Sequence, residues 1–445
     1  MSNDLTIGKP SKVILLFSLP LLLSTAIQQL YNIADSVIIG NLDSTDGLAA
    51  IGAAYPVTLF YVAIATGSAM GCTVVISQLY GARKMAQLKS CMYTALFTFI
   101  ILGAFLAVVG FALSGPIMRL LRCNQDAFEN AKTYIGIYAL GTFPMLVFNA
   151  VSAIFTGLGD AKRPLIFLAG SSVLNVILDV IAVGPLKLGV FGAACATSLS
   201  QLVAAVFAAF IMLKKMKEFD CAGEAVSRFS FSHLAMIAKY AVPSILQQVC
   251  VSIGHCCIQA LVNTFDLATM AGYEIGAKVI NFIYMCFNTL GTALSSYAGQ
   301  NLGAGRKDRI KSGYRSSCLI CLIIIAVVVV IVQLLAPQLV GLFMDTNASG
   351  VLNVGVAYIR IVSIDMFIVS QIIPSGGLLR GIGKVNKFFI ATVADFTVRV
   401  LMSYVLVHVL SSINGIFWAW YFGGAVDIIM LLIFIHGERK TTLKV

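Results

Sequence analysis

Charge is what this sequence has least of. Only 11% of its 445 residues are Asp, Glu, Lys or Arg, against about 25% in a soluble domain. Mean hydropathy is +0.94. A water-soluble chain of this size needs polar groups to cover it, so an ordinary soluble enzyme is excluded, and so is a disordered chain. Histidine is nearly as scarce: His233, His255, His408 and His436 are scattered and form no ligand cluster. The 11 cysteines are odd in number and sit mostly inside apolar runs, as Cys250, Cys256, Cys257 and Cys286 do. That excludes a disulfide scaffold and makes them small buried hydrophobes. Cys318 and Cys321 form a CxxC, but at the start of an apolar helix, where packing explains them better than redox or metal chemistry. No GxxxxGK[ST] loop is present, which argues against ATP as a driving force. No nucleophile with a base, and no set of His or Asp metal ligands, marks an integral-membrane enzyme.

What is there is apolar: 59% of the chain. A membrane-spanning helix needs about 20 mainly apolar residues. Runs of helical length fall near 12–40, 48–79, 90–113, 133–156, 164–183, 190–213, 235–262, 268–299, 314–335, 353–378, 387–409 and 413–436. These are long runs rather than short alternating strands, so a β-barrel is excluded. The fold class expected is an all-α integral membrane protein with twelve transmembrane helices. The first run is too long for a signal-peptide core and lacks a small-residue cleavage pattern, so it is expected to be a retained helix.

Lys and Arg set the orientation, since cytoplasmic loops carry the excess. With the N-terminus inside, the inner segments carry 23 of them and the outer loops 5, leaving Lys278 and Arg399 within spans. Both termini are therefore expected in the cytoplasm. The net charge of +11 marks topology, not a nucleic-acid partner.

The chain repeats itself. Pro20 in "SLPLLLS" returns as Pro243 in "AVPSILQ"; "SQLYGARK" (77–84) returns as "GQNLGAGRK" (299–307); "GLGDAKRP" (157–164) returns as "RGIGKVNK" (380–387). The offset stays near 220. Six helices per half gives both halves the same orientation, a parallel repeat about an axis along the membrane normal. The boundaries expected are 1–213 for an N-lobe, 214–234 for a polar cytoplasmic linker and 235–445 for a C-lobe. Two matched bundles are a transporter architecture, with sites near the midplane.

Ionisable groups inside a bilayer cost about 2.5–3.5 kcal/mol each and are usually functional. The spans hold Asp35, Asp179, Glu274, Asp365, Asp395 and Asp427, with the bases Lys278 and Arg399. Glu274 and Lys278 are four apart, as are Asp395 and Arg399, so each couple shares a helix face and reads as an intramembrane charge pair. Such a pair can also neutralise itself and serve packing alone. Asp365 and Asp427 have no obvious local partner. Asp35 and Asp179 have no base nearby in sequence either. Asn175 lies one turn before Asp179, in "LNVILD", and Thr197 begins the sixth span from the same side of the membrane. Two carboxylates, an amide and a hydroxyl at similar depth suit a small cation or an exchangeable proton; the alternative is a set of unrelated polar groups facing their neighbours.

The segments "LPLLLSTAIQQLYNIADSVIIG", "QLYGARK", "GLGDAKRP", "LNVILD", "GAACATSLSQ" and "LRGIGK" carry a resemblance. Over roughly residues 9–437 the sequence resembles the multidrug and toxic compound extrusion (MATE) transporters of bacteria, nearer the DinF-like and staphylococcal members. The resemblance implies two six-helix lobes and an N-lobe site for Na+ or a proton at Asp35, Asn175, Asp179 and Thr197. It also implies bending of the first helix at Pro20. One departure is clear. NorM-like members place acids on the seventh and tenth helices for a C-lobe cation site. Here 235–262 has no acid and offers Gln247, Gln248 and His255, while Asp365 on the tenth lies about a turn from the matching place. Coupling through the N-lobe is therefore expected.

The aromatics Tyr31, Tyr55, Tyr61, Phe148, Phe282, Tyr284 and Phe287 are candidates for a polyspecific pocket for flat lipophilic cations, although rings at helical spacing also serve packing and lipid contact. The function implied is secondary active antiport in a bacterial plasma membrane, exporting amphipathic cationic organic compounds in exchange for Na+ or H+. No organic cofactor and a monomeric state are expected. The alternative is a flippase for lipid-linked saccharides of the same wider superfamily. Such a flippase calls for a more cationic cleft, whereas Lys278 and Arg399 each have an acid four residues away.

Overall fold

A computed structural model of the chain describes residues 4–42, 45–121, 123, 125–221, 223–343 and 349–444; the side chains of 32–51, 53, 126, 127, 190 and 349 lie outside that description. Twelve α-helices account for nearly all of it. They are α1 (Pro10–Leu42), α2 (Thr45–Gly81), α3 (Met85–Leu120), α4 (Gln125–Gly157), α5 (Lys162–Val183) and α6 (Gly189–Met216), followed by α7 (Phe231–Val262), α8 (Leu267–Gly303), α9 (Lys307–Gly341), α10 (Ser349–Gly381), α11 (Val385–Leu410) and α12 (Asn414–Lys440). Each of the twelve apolar runs lies on one of these helices. Among the described residues, eleven helices are long and apolar enough to cross a membrane. The exception is α8, whose apolar stretch is broken by Glu274, Lys278, Asn281 and Asn288. Helices satisfy their own backbone groups, which is what a segment in hydrocarbon requires.

Two compact units organise the chain. One comprises Met1–Asp4 and Leu19–Val249, the other Leu5–Ser18 and Cys250–Val445. The division differs from the sequence boundaries: it runs through α1 and through α7, so the 214–234 segment and the first half of α7 belong with the first unit. The repeat is visible in the packing. In the first unit α4 packs on α2, α3 and α6, and α5 on α6; in the second α10 packs on α8, α9 and α12, and α11 on α12. Each contact recurs six helices later. Small residues permit the close approaches. A Cβ on Gly377 of α10 would stand 2.4 Å from the Gly291 carbonyl oxygen of α8, and one on Gly381 would stand 2.4 Å from that of Ser295.

Each unit has its own core. In the first, Ile76, Leu88, Met92, Phe99, Leu146 and Phe155 are fully buried together. In the second, Ile258, Ile280, Tyr358, Ile359, Phe417 and Trp420 play that part. The residues before α1 are fastened to the second unit by the repeated "GQNLGAGRK" segment and by Arg309, two residues beyond it. Leu5 N–H donates to Gln300 Oε1 at 3.1 Å, Asn301 Nδ2 donates to the Leu5 carbonyl at 3.2 Å, and Arg306 and Arg309 each donate to a carbonyl, of Thr6 and Gly8, at 2.7 Å.

Candidate functional site

Helix α5 is turned polar side inward. Its buried positions are Pro164, Phe167, Ser172, Asn175, Asp179 and Val183, one helical line. Its exposed positions include Ile166, Val173, Ile177, Val180 and Ile181. Hydrocarbon contact dictates the second set; core packing accounts for the apolar members of the first, such as Phe167, and burying Ser172, Asn175 and Asp179 calls for a function or a partner. Asp179 is completely buried and Asn175 nearly so. Asn175 Nδ2 donates to Thr197 Oγ1 of α6 at 3.3 Å, which brings the amide and hydroxyl together as the sequence led one to expect. The Asn175 Oδ1 and Ser172 Oγ atoms are buried without a hydrogen-bond partner among the described residues. A carboxylate in such surroundings is expensive as an anion, and a proton or a small cation relieves the cost. The Asp35 side chain lies outside the described residues, so the fourth member of the predicted site is not placed.

The second unit gathers a denser set, in which the Asp395–Arg399 pair expected from the spacing is joined by the two acids that had no local partner. Arg399 forks onto Asp395: Nε donates to Oδ1 at 3.0 Å, and Nη2 donates to Oδ1 at 2.7 Å and Oδ2 at 2.9 Å. The guanidinium carbon lies 4.1 Å from the centroid of a Trp420 ring. Asp365 of α10 and Asp427 of α12 are buried within electrostatic reach of this pair. Tyr284 of α8 donates to Asp365 Oδ2 at 3.4 Å, while Asp365 Oδ1 and Asp427 Oδ1 are buried without hydrogen-bond donors. Gly423 and Gly424 make room for the group: a Cβ would stand 2.2 Å from Asp395 Oδ1 at the first and 3.1 Å from Asp365 Oδ1 at the second. The signal in the sequence was the "GG" three residues before Asp427, an α12 face with no side chains to obstruct the acids.

The pairing expected of Glu274 and Lys278 does not form. Both are exposed on α8, and no ion pair joins them. Spacing of four allows a contact and does not impose one when both groups reach water. The aromatics divide. Tyr61 is buried and packs on Tyr138 with ring centroids 6.1 Å apart. Phe287 is buried in the second unit's core, and Phe148 packs against the first's. Tyr284 packs on Trp420 at 5.8 Å. Tyr31 is half-buried, whereas Tyr55 and Phe282 are exposed. Among the described residues no group of three or more His, Cys, Asp or Glu is arranged to hold a metal ion.

The MatE family model matches residues 20–181 and 243–405, one match for each half of the repeat. The chain is 28% identical over 439 residues to "Probable multidrug resistance protein YoeA" of Bacillus subtilis, covering 96% of this chain and 94% of that protein. It is 28% identical over 339 residues to a protein of Shewanella oneidensis named "FAD transporter", covering 75% and 74%. Among solved structures it is similar to an outward-facing multidrug resistance MATE family transporter of the MOP superfamily, with 25% identity, a TM-score of 0.92, and coverage of 100% of this chain and 99% of that one.

Proposed function

The chain belongs to the MatE family of multi-pass membrane transporters, and on that footing we propose that it is a secondary active antiporter exporting amphipathic organic compounds that carry a cationic group, in exchange for Na+ or H+. It is a transporter of small organic compounds and not an enzyme. The observation that carries the antiport reading is the inward-facing polar line of α5, with Asp179 fully buried and Asn175 bonded to Thr197 of α6. The coupling ion would bind or protonate there together with Asp35. A ligand shifts a conformational equilibrium only by its different affinity for the two states. A buried carboxylate meets that requirement: its charge is costly when water is excluded and tolerable when the site opens to water or is neutralised. The Lys and Arg bias supports cytoplasmic termini in a bacterial plasma membrane, and nothing in the charge distribution calls for nucleic acid or for a second protomer.

The test is transport of a fluorescent organic cation in proteoliposomes under imposed sodium or proton gradients. The reading requires substrate movement driven against its own gradient by one of the two ions. Substrate movement that ignores both gradients would overturn antiport. Drug accumulation in cells stripped of their own pumps separates an exporter from a lipid flippase, which would leave accumulation unchanged.

A further inference from the structure

A line of polar side chains runs along the exposed surface of α8 for about the thickness of a membrane, with the half-buried Met285 within it and the exposed Phe282 beside it. Glu274, Lys278, Asn281 and Asn288 are exposed. Thr292 continues their line, its hydroxyl donating to the Asn288 carbonyl at 3.2 Å. Steps of three, four and seven residues keep these positions on one side of a helix. From Glu274 to Thr292 the stripe runs about 27 Å at 1.5 Å per residue, close to the ~30 Å of a hydrocarbon core. The other side, with Tyr273, Ile280, Phe287 and Leu290, packs into the core of the second unit.

The neighbouring α9 shows what a lipid-facing surface is in the same unit: its exposed residues include Leu319, Ile323, Val327, Val330 and Leu334. The α8 stripe differs, with five polar residues and one methionine along its line. Charged side chains within spans face protein or a water-filled cavity. Glu274 and Lys278 are exposed and form no ion pair with each other or with any other described residue. A water-filled path is the environment that remains. The repeat supplies an internal control. Helices α2 and α8 both have 37 residues, and each boundary of α8 lies 222 residues after its counterpart. The positions matching Glu274 and Lys278 are then Gly52 and Pro56. The helix in the equivalent packing position does without these charges, so the fold does not require them.

We propose that this stripe reads substrate charge along the transport path, and that the substrates it selects are amphipathic zwitterions with a basic group for Glu274 and a carboxylate for Lys278. Residues four apart on a helix have Cβ atoms about 5–6 Å apart. One small molecule therefore reaches both groups, and because they are not bonded to each other both charges are available to it. The asparagines further along offer amide donors and acceptors to a substrate in transit. This inference rests on the export reading above and narrows its substrate class.

The experiment uses the full-length protein in proteoliposomes with one rhodamine dye in two forms, the free acid (a zwitterion) and its methyl ester (a cation). Wild type is expected to transport both, the free acid more efficiently. Lys278→Met should lower free-acid transport about tenfold, the usual size of a lost charge-assisted hydrogen bond, and leave the ester unchanged. Lys278→Arg should keep free-acid transport. Glu274→Gln should lower both, because both forms carry the amine. Equal loss of both dyes in Lys278→Met, or equal transport of both by wild type, overturns the zwitterion inference and leaves the exporter reading intact. Transport of neither dye by wild type removes the exporter reading and the inference with it.

Discussion

The guanidinium of Arg399 is held on one edge by the Asp395 carboxylate, with Nη2 to Oδ1 at 2.7 Å, and both side chains are all but buried, at 5% and 7% exposure. The pair sits beside two further buried acids and the aromatic rings of Phe396 and Trp420. A single positive charge thus serves a neighbourhood that holds three carboxyl groups, in the unit where the family resemblance gave least reason to look.

Breaking this pair from one side should cost far more than removing it. Asp395→Leu leaves a buried guanidinium, and Arg399→Met a buried carboxylate; each is expected to destabilise by about 3–5 kcal/mol. The double variant should recover most of that loss. Thermal unfolding of the purified protein in detergent provides the measurement, and a double variant no more stable than the worse single would show that the two residues act independently.

The two glycines of α12 make a graded pair. Gly423→Ala places a methyl 2.2 Å from Asp395 Oδ1, so the fork must open; Gly424→Ala places one 3.1 Å from Asp365 Oδ1, a contact that a small side-chain shift relieves. Folded yield should fall sharply for the first and little for the second. The reverse order would mean that α12 does not approach α11 as described.

Asn301 is fully buried, accepts from Arg309 Nε at 3.0 Å, and donates to the Leu5 and Tyr297 carbonyls at 3.2 and 2.8 Å. Asn301→Leu removes all three bonds and leaves the Leu5 carbonyl and a guanidinium N–H in want of partners, while the Tyr297 carbonyl keeps its helical bond. A loss of about 1–3 kcal/mol is expected, with earlier proteolysis of the residues before α1. Unchanged proteolysis would show that this segment is held by other contacts.

Asp179→Asn keeps the shape of the α5 site but can neither release a proton nor balance a cation's charge. Ion-driven export should fall at least about tenfold, while the protein still inserts and unfolds as wild type does. Asp35→Asn should behave alike. Full resistance in cells expressing either variant at normal levels would remove the coupling site from this position.

Pro20 lies within α1, one residue past the point where that helix passes from one compact unit to the other. Proline removes the N–H that would bond the carbonyl four residues before it and eases bending there. Pro20→Ala is expected to slow transport and retain substrate binding, since the pocket remains and the switch stiffens. Pro243 of α7 stands six residues before that helix changes unit, so Pro243→Ala is the comparison. Wild-type transport in both variants would exclude the hinge, and lost binding in Pro20→Ala would assign the proline to packing.

The sequence by itself determined the twelve helices, their membrane setting and the repeat. Those follow from run length, low charge and recurrent segments, and in hydrocarbon the backbone has no alternative to closing its own hydrogen bonds. It also pointed to the meeting of Asn175 with Thr197, because helical periodicity and loop order fix their depth. Which long-range partners meet was decided only by tertiary packing. The spacing of Glu274 and Lys278 is the same as that of Asp395 and Arg399, yet only the second pair closes, because its helix face is buried against α12 while the first faces outward. Asp365 and Asp427 lie 62 positions apart, and no local rule relates them. Their convergence depends on α10 and α11 both packing on α12, at a face that two adjacent glycines leave bare.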